Sequence, residues 1–355
     1  MLKEELYKIL IQSSVSSLHL QKIDGSMPPG HNGPYNDPET AIRNTAHWVM
    51  LFFYSFGATS QQNFLEAALR GISFLKMEFK KSENKAFHCR NKTGKDLTNG
   101  LIGQAWALEP FSYMQKFKKD HEAIKIALSV IKSHPFDKKK GLWKTIDLDG
   151  TPKEIDNTFN HQLWFACSSA QFAQYDNSIK ENVDIFLKKM FKNLVLHRNG
   201  RIGQSRYLNL TESILKPLLK KFIKPKDSRY MRLKEVGYHA FNTYAFAKLK
   251  DVFKFHSVWR DKRFFKILLY FNVKEYKKDI WKSKYGFPYN PPGFEVLATQ
   301  KAFQDGVEFD ENFIKDLIDH QLQEGWDNKK KMMVKGCFDK MTSAARVYEA
   351  ISYCE

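Results

Sequence analysis

The chain has 355 residues, a net charge of +18 at neutral pH, and 43% hydrophobic and 14% aromatic residues. That apolar content excludes disorder and suffices for one large continuous core. No run of about 18 apolar residues indicates a membrane span, and the acidic, amphipathic start (Glu4, Glu5) is not a signal peptide.

In chain order, residues 2–20 read as an amphipathic helix. A polar loop follows, Gly33-Pro34-Tyr35-Asn36-Asp37-Pro38, and then an apolar helix starting near Glu39. Its segment Trp48 to Tyr54 is apolar nearly all round, as expected of a helix buried on both sides. Residues 61–80 place Phe64, Ala67, Ala68, Gly71, Phe74, Leu75 and Met77 near one stripe, as a one-sided surface helix does. The same alternation recurs. Polar, Gly- or Pro-containing loops lead into apolar helices near Asn99, Thr158, Gly237, Gly293 and Phe338, with charged amphipathic helices over 120–133, 178–193, 260–271 and 310–322. Starts spaced by about 45–80 residues leave room for a helical hairpin and a working loop each. Six hairpins would close into an all-α (α/α)6 toroid, one domain over residues 1–355, with the inner helix starts at one rim. No alternating series is long enough for a sheet.

The interval 195–236 is an insertion containing Arg198 to Tyr207 and a basic amphipathic piece, Ile214 to Lys224. Such a piece can make peripheral contact with an anionic membrane surface. The lysine-rich charge favours an anionic partner. Zinc-finger and RNP-like patterns are absent, which argues against nucleic acid. Cys89, Cys167, Cys337 and Cys354 are dispersed without a C-x-x-C pair, as suits thiols in the cytoplasm. Histidines are too scattered for a metal site, and no cofactor fingerprint is present.

The densest polar constellation is Lys153 to Trp164, where Asp156/Asn160 and Asn157/His161 are i, i+4 pairs if the segment is helical. One helix cap does not require Asp156, Asn160, His161 and Gln162 together. Asp156 is the candidate general acid/base, with Glu295 or Asp96 as second carboxylate. A second constellation, Asp96 to Phe111, offers Asn99 and Gln104 for sugar hydroxyls and Trp106 for stacking, while Pro110 should bend its helix. His239, Asn242 and Tyr289 repeat the theme at two further starts, and Arg201 could grip a uronate carboxylate.

The segment Ile155 to Ala166 resembles the part of unsaturated glucuronyl hydrolases in which an Asp precedes an Asn and an apolar helix. The resemblance implies a six-hairpin carbohydrate-active protein in which Asp156 protonates the C4–C5 double bond of an unsaturated uronic acid and activates water. That family carries a second Asp one hairpin earlier, where this chain has Asn99, with Asp96 nearby in the loop. The overall pattern is also similar to proteins of surface-polysaccharide gene clusters. The expected partner is an acidic oligo- or polysaccharide. Alternatives are an epimerase or lyase using His161 or His239, and a non-catalytic glycan-binding factor.

Overall fold

The computed structural model describes residues 2–206 and 228–355, so the basic piece Ile214 to Lys224 lies outside the described residues. Among the described residues, helices alternate between an outer and an inner ring. The inner ring consists of α2 (Ile42–Thr59), α4 (Gly100–Tyr113), α6 (Phe159–Ala170), α9 (His239–Val252), α12 (Pro292–Phe303) and a last segment in which α14 (Lys340–Ala345) runs through a 3-10 stretch into α15 (Ile351–Cys354). Each inner helix packs on the next, and the last segment packs back on α2, so the ring closes. The fold is an all-α (α/α)6 toroid.

The outer ring holds α1 (Leu2–Ser17), α3 (Gln62–Lys81), α5 (His121–Ser133), α7 (Asn177–Asn193) and α13 (Glu311–Gly325). Between α9 and α12 the outer layer is broken into α10 (Lys262–Leu269), α11 (Lys274–Asp279) and 3-10 turns, while α8 (Ser228–Gly237) leads into α9. Inner helices are buried almost all round: in α4 every residue from Gly100 to Phe111 is buried. Outer helices bury one stripe, as Ile179, Val183, Phe186, Leu187 and Met190 do in α7. No helix among the described residues is long and apolar enough to cross a membrane.

Most helix starts of the two rings differ. Outer helices α5, α7 and α13 begin on Asp caps, where Asp120 accepts from the Ala123 N–H at 2.9 Å, Asp176 from Ser178 and Asp310 from Phe313. Outer helix α3 follows Gln61 without such a bond and, on the inner ring, Asp339 caps α14. Such caps contribute about 1 kcal/mol each. The residues preceding α2, α4, α6, α9 and α12 make no capping side-chain bond. The positive ends of these five dipoles face the rim where the polar loops gather.

The loops also contain short antiparallel ribbons, contrary to the sequence expectation. β1 (Phe136–Asp137), β2 (Leu142–Ile146) and β3 (Pro152–Ile155) form one; β4 (Leu194–Leu196) with β5 (Ile202–Arg206), and β6 (Trp326–Asp327) with β7 (Met332–Met333), form two more. Strands this short show no readable alternation. Pro110 lies inside α4, which continues three residues before tightening into a 3-10 turn over Met114–Lys116.

Candidate active site

Strand β3 ends one residue before Asp156, and α6 begins only at Phe159. Asp156 is therefore outside the helix, and its partner is His161 rather than Asn160. One Asp156 oxygen accepts the Thr158 N–H at 2.9 Å, and the other lies 2.8 Å from His161 Nδ1. Burial pushes the Asp156 pKa up, but His161 and the bond from Thr158 outweigh it and hold the carboxyl below its ordinary range. An ionised carboxylate only accepts, so His161 Nδ1 donates to Asp156, and whenever the ring is neutral Nε2 is the nitrogen that carries the lone pair. Nε2 has no partner among the described residues. Gly100, at φ +58°, lets α4 begin against this pair, since a Cβ there would lie 2.9 Å from an Asp156 oxygen.

His161 and Asn99 face a central cavity of about 370 Å³ at the inner-helix rim. Its wall carries Arg43, Arg90, Lys95, Lys234 and Arg346 against one lining carboxylate, Asp37. Arg43 is 3% exposed. Its guanidinium lies 3.8 Å over the Trp106 ring and is held by Glu39 at 3.2 Å. Behind it, burial and then the charge of Arg43 push His47 well below its usual pKa, so this imidazole is neutral. Tyrosines close the far wall: Tyr35 and Tyr238 share a 2.9 Å hydroxyl bond, and Tyr289 donates to Asn32 at 2.7 Å. The cavity thus presents amides, flat rings and cations that carboxylates hold in place, groups able to meet a hydroxylated ring.

Of the residues singled out by sequence, Asn99, Trp106, Asn160, His161 and Tyr289 line this cavity. Asn160 Oδ1 is buried with no partner among the described residues. Asp156 and Asp96 lie in an adjoining groove, where Asp96 accepts the Gly100 N–H at 2.5 Å and pairs with Arg90. Six others are placed elsewhere. Gln104 pins the backbone of Phe87 in both directions, at 2.7 and 2.9 Å, and Gln162 does the same to Trp143 at 2.9 and 2.8 Å. His239 is fully buried against Tyr270 and Phe271, with Nε2 3.0 Å from the Ile267 carbonyl, and does not line the cavity, so it cannot reach a substrate there. Glu295 is fully buried against Arg346 at 2.8 Å. Arg201 pairs with Glu235 and Glu275, away from the cavity. Asn242 is buried and does not line the cavity.

The two glutamines make a testable pair. Gln104→Ala or Gln162→Ala leaves a buried backbone N–H and C=O unmatched, and each should cost about 2 kcal/mol in chemical denaturation. A loss below half a kcal/mol for both would mean that these amides do not hold the loops.

Arg43 and Arg346 were missed by the sequence reading. A charged residue in a helix apolar all round must be paired or face a cavity, and that signal was present in Ile42-Arg43-Asn44 and Ala345-Arg346-Val347.

Solved structures of the same architecture are enzymes acting on sugars. Cellobiose 2-epimerase from Spirochaeta thermophila superposes with a TM-score of 0.68 at 13% identity, covering 99% of this chain and 96% of that one. An unsaturated glucuronyl hydrolase specific for heparin gives 0.64 at 10% identity, over 99% and 96%. These likenesses establish the six-hairpin class. At sequence level no family model matches. Archaeal glycosylation protein Q of Haloferax volcanii is 37% identical over 360 residues, covering 97% of this chain and 96% of that protein, and the chain belongs to its family.

Proposed function

We propose that the protein is a carbohydrate-modifying enzyme of the cytoplasm that binds an acidic, uronate-type saccharide in the central cavity and moves a proton on it through His161. The observation that carries the reading is the Asp156–His161 pair at the edge of a cavity lined by amides, flat rings and carboxylate-held cations. Membership in the family of a glycosylation protein supports a saccharide substrate.

Asp156 fixes the tautomer. In the neutral ring, Nε2 removes a proton from a carbon next to a carbonyl or carboxyl group of the sugar, and the resulting imidazolium returns it to the adjacent carbon, or to the same carbon after the planar intermediate has turned its opposite face to His161. Arg43, stacked on Trp106, faces the negative charge that develops on oxygen. The net outcome is isomerisation or epimerisation, with no bond of the sugar chain broken. Free cysteines fit a reducing compartment.

A second reading, hydrolysis with Asp156 as general acid, is favoured by one observation. Asp156 and Asp96 flank Gly100, with oxygens 2.9 and 3.7 Å from where its Cβ would be. It requires a protonated Asp156, whereas His161 favours the ionised form. Incubating glucuronate and galacturonate oligosaccharides with the enzyme in D2O separates the two. Carbon-bound deuterium without chain cleavage is expected, and new reducing ends without deuterium would replace the proton-transfer reading with the hydrolytic one.

A further inference from the structure

The loop from α11 into α12 holds aromatic rings at the surface. Ile280, Tyr285 and Asn290 are buried in it, whereas Trp281 is 40% exposed. The indole stacks on the half-buried Phe287 ring, with centroids 5.4 Å and planes 12° apart. Both rings meet His320 of α13 edge-on, at 5.0 and 4.4 Å. Phe338, 48% exposed, adjoins the same loop, because its backbone N–H donates to the Pro288 carbonyl at 3.0 Å. The loop is braced from behind. Ser283 donates to the Leu233 carbonyl at 2.6 Å, and Asn290 to the carbonyls of Gly237 and Tyr285 at 3.1 and 2.7 Å. Apolar rings scattered singly over a surface need no explanation, but rings clustered on a fixed loop mark a contact face.

The charge of this loop is one-sided. Lys278, Lys282 and Lys284 lie within three residues of Trp281, are exposed, and have no carboxylate partner among the described residues. The neighbouring charges are matched: Lys277 pairs with Asp310, and Asp279 with Arg232. On α13, Lys315 stands between Asp316 and Asp319, so that edge is closer to balance. Lys284 Nζ lies 5.7 Å from the centre of the Tyr230 ring, and Tyr230 lines the central cavity. The basic edge of the face therefore borders the cavity mouth.

Rings and unmatched cations together select the occupant. A second copy of this chain would set lysines against lysines. A neutral sugar could stack on the indole but would leave the lysines unused. A bilayer containing anionic lipid uses both, since aromatic rings settle at the headgroup level and lysines meet the negative surface potential. We propose that this face docks the protein on an anionic membrane surface, with Trp281, Phe287 and Phe338 at the headgroups and Lys278, Lys282 and Lys284 against the lipid phosphates. Docking in this way brings the cavity mouth close to the bilayer, whichever reaction the cavity performs.

Sedimentation of the full chain with phosphatidylcholine vesicles, with and without phosphatidylglycerol as about a third of the lipid, tests the proposal. Binding is expected on the anionic vesicles alone and should weaken as salt is raised. Replacing Lys278, Lys282 and Lys284 together by glutamine should weaken it about a hundredfold, the combined effect of three such charges near the surface, with no change in Tm. Trp281→Ala should weaken it about tenfold through the lost apolar area. No binding to anionic vesicles, equal binding to neutral ones, or binding unchanged in both variants would overturn the proposal. In the last case, a loss on replacing Lys216, Lys220, Lys221 and Lys224 by glutamine would assign the lipid contact to that piece instead. Variants that lose affinity for polygalacturonate but not for vesicles would make the face a saccharide surface, and the membrane assignment would fail.

Discussion

Replacement of His161 by glutamine lowers deuterium incorporation into an acidic saccharide by about two to four orders of magnitude, the range a positioned acid/base group supplies. The effect should fall on turnover rather than folding. The His161 side chain is 27% exposed, and its one hydrogen-bond partner among the described residues is Asp156. A Tm close to that of the wild type is therefore expected. Asp156→Asn keeps the shape but offers an amide that can also donate to Nδ1, which permits the wrong tautomer. A loss of roughly 10²-fold or more should follow. The pair acts as a unit, so the double variant should be little worse than His161→Gln alone. Parallel kcat measurements on the three variants check this. Full exchange activity in His161→Gln would remove the histidine from the mechanism and return attention to Asp156 and Asp96.

The ring was legible because its two layers obey different rules. Outer helices such as His121–Ser133 carry one apolar stripe and an Asp at the cap, both local signals. Inner helices lack polar faces, and each follows a polar loop, so their starts were read to within about three residues, the usual margin for helix ends. The site was legible only in part. Sequence marked Lys153 to Trp164, yet helical spacing paired Asp156 with Asn160 and Asn157 with His161. The structure pairs Asp156 with His161 because the helix starts after the aspartate. Whether a polar residue at a helix start faces the hollow or turns back on its own loop depends on a rotation of the helix. That rotation is set by packing between distant elements. Gln104 and Gln162 turned back, while Asn99 and Asn160 did not. His239 and Glu295 lost their candidate roles to partners 28 and 51 residues away, separations at which no periodicity acts.

Arg346 is the residue whose loss should damage the fold most. It is 2% exposed and crosses from the last inner segment to α12. Its Nη2 donates to Glu295 at 2.8 Å, its Nε to Glu349 at 2.5 Å, and its Nη1 to the Asn290 side chain at 2.6 Å and the Tyr289 carbonyl at 3.1 Å. Arg346→Met retains the apolar stem and strands two buried carboxyl groups. Breaking a buried pair in this way costs about 3–5 kcal/mol, far more than the intact network need contribute relative to a well-packed apolar core. The pH dependence identifies the cause. Burial, and then the charge of Glu349, push the Glu295 pKa well above its ordinary 4.5, and burial raises Glu349 as well. A carboxyl raised on folding contributes stability that is fully present below its unfolded pKa and is lost as pH rises through the folded value. Without Arg346 both groups are pushed higher still, so the defect in Arg346→Met should be larger at pH 8 than at pH 5, where protonation relieves it. Glu295→Gln imitates the protonated acid and keeps an oxygen for Arg346. It should be no less stable than the wild type at pH 8 and should show a shallower loss from pH 5 to 8. Urea unfolding of the three proteins at both pH values decides the matter. An Arg346→Met variant within 1 kcal/mol of the wild type at pH 8 would mean that the cluster is solvated or repacks, and that α12 and the final segment are held by their apolar contacts alone.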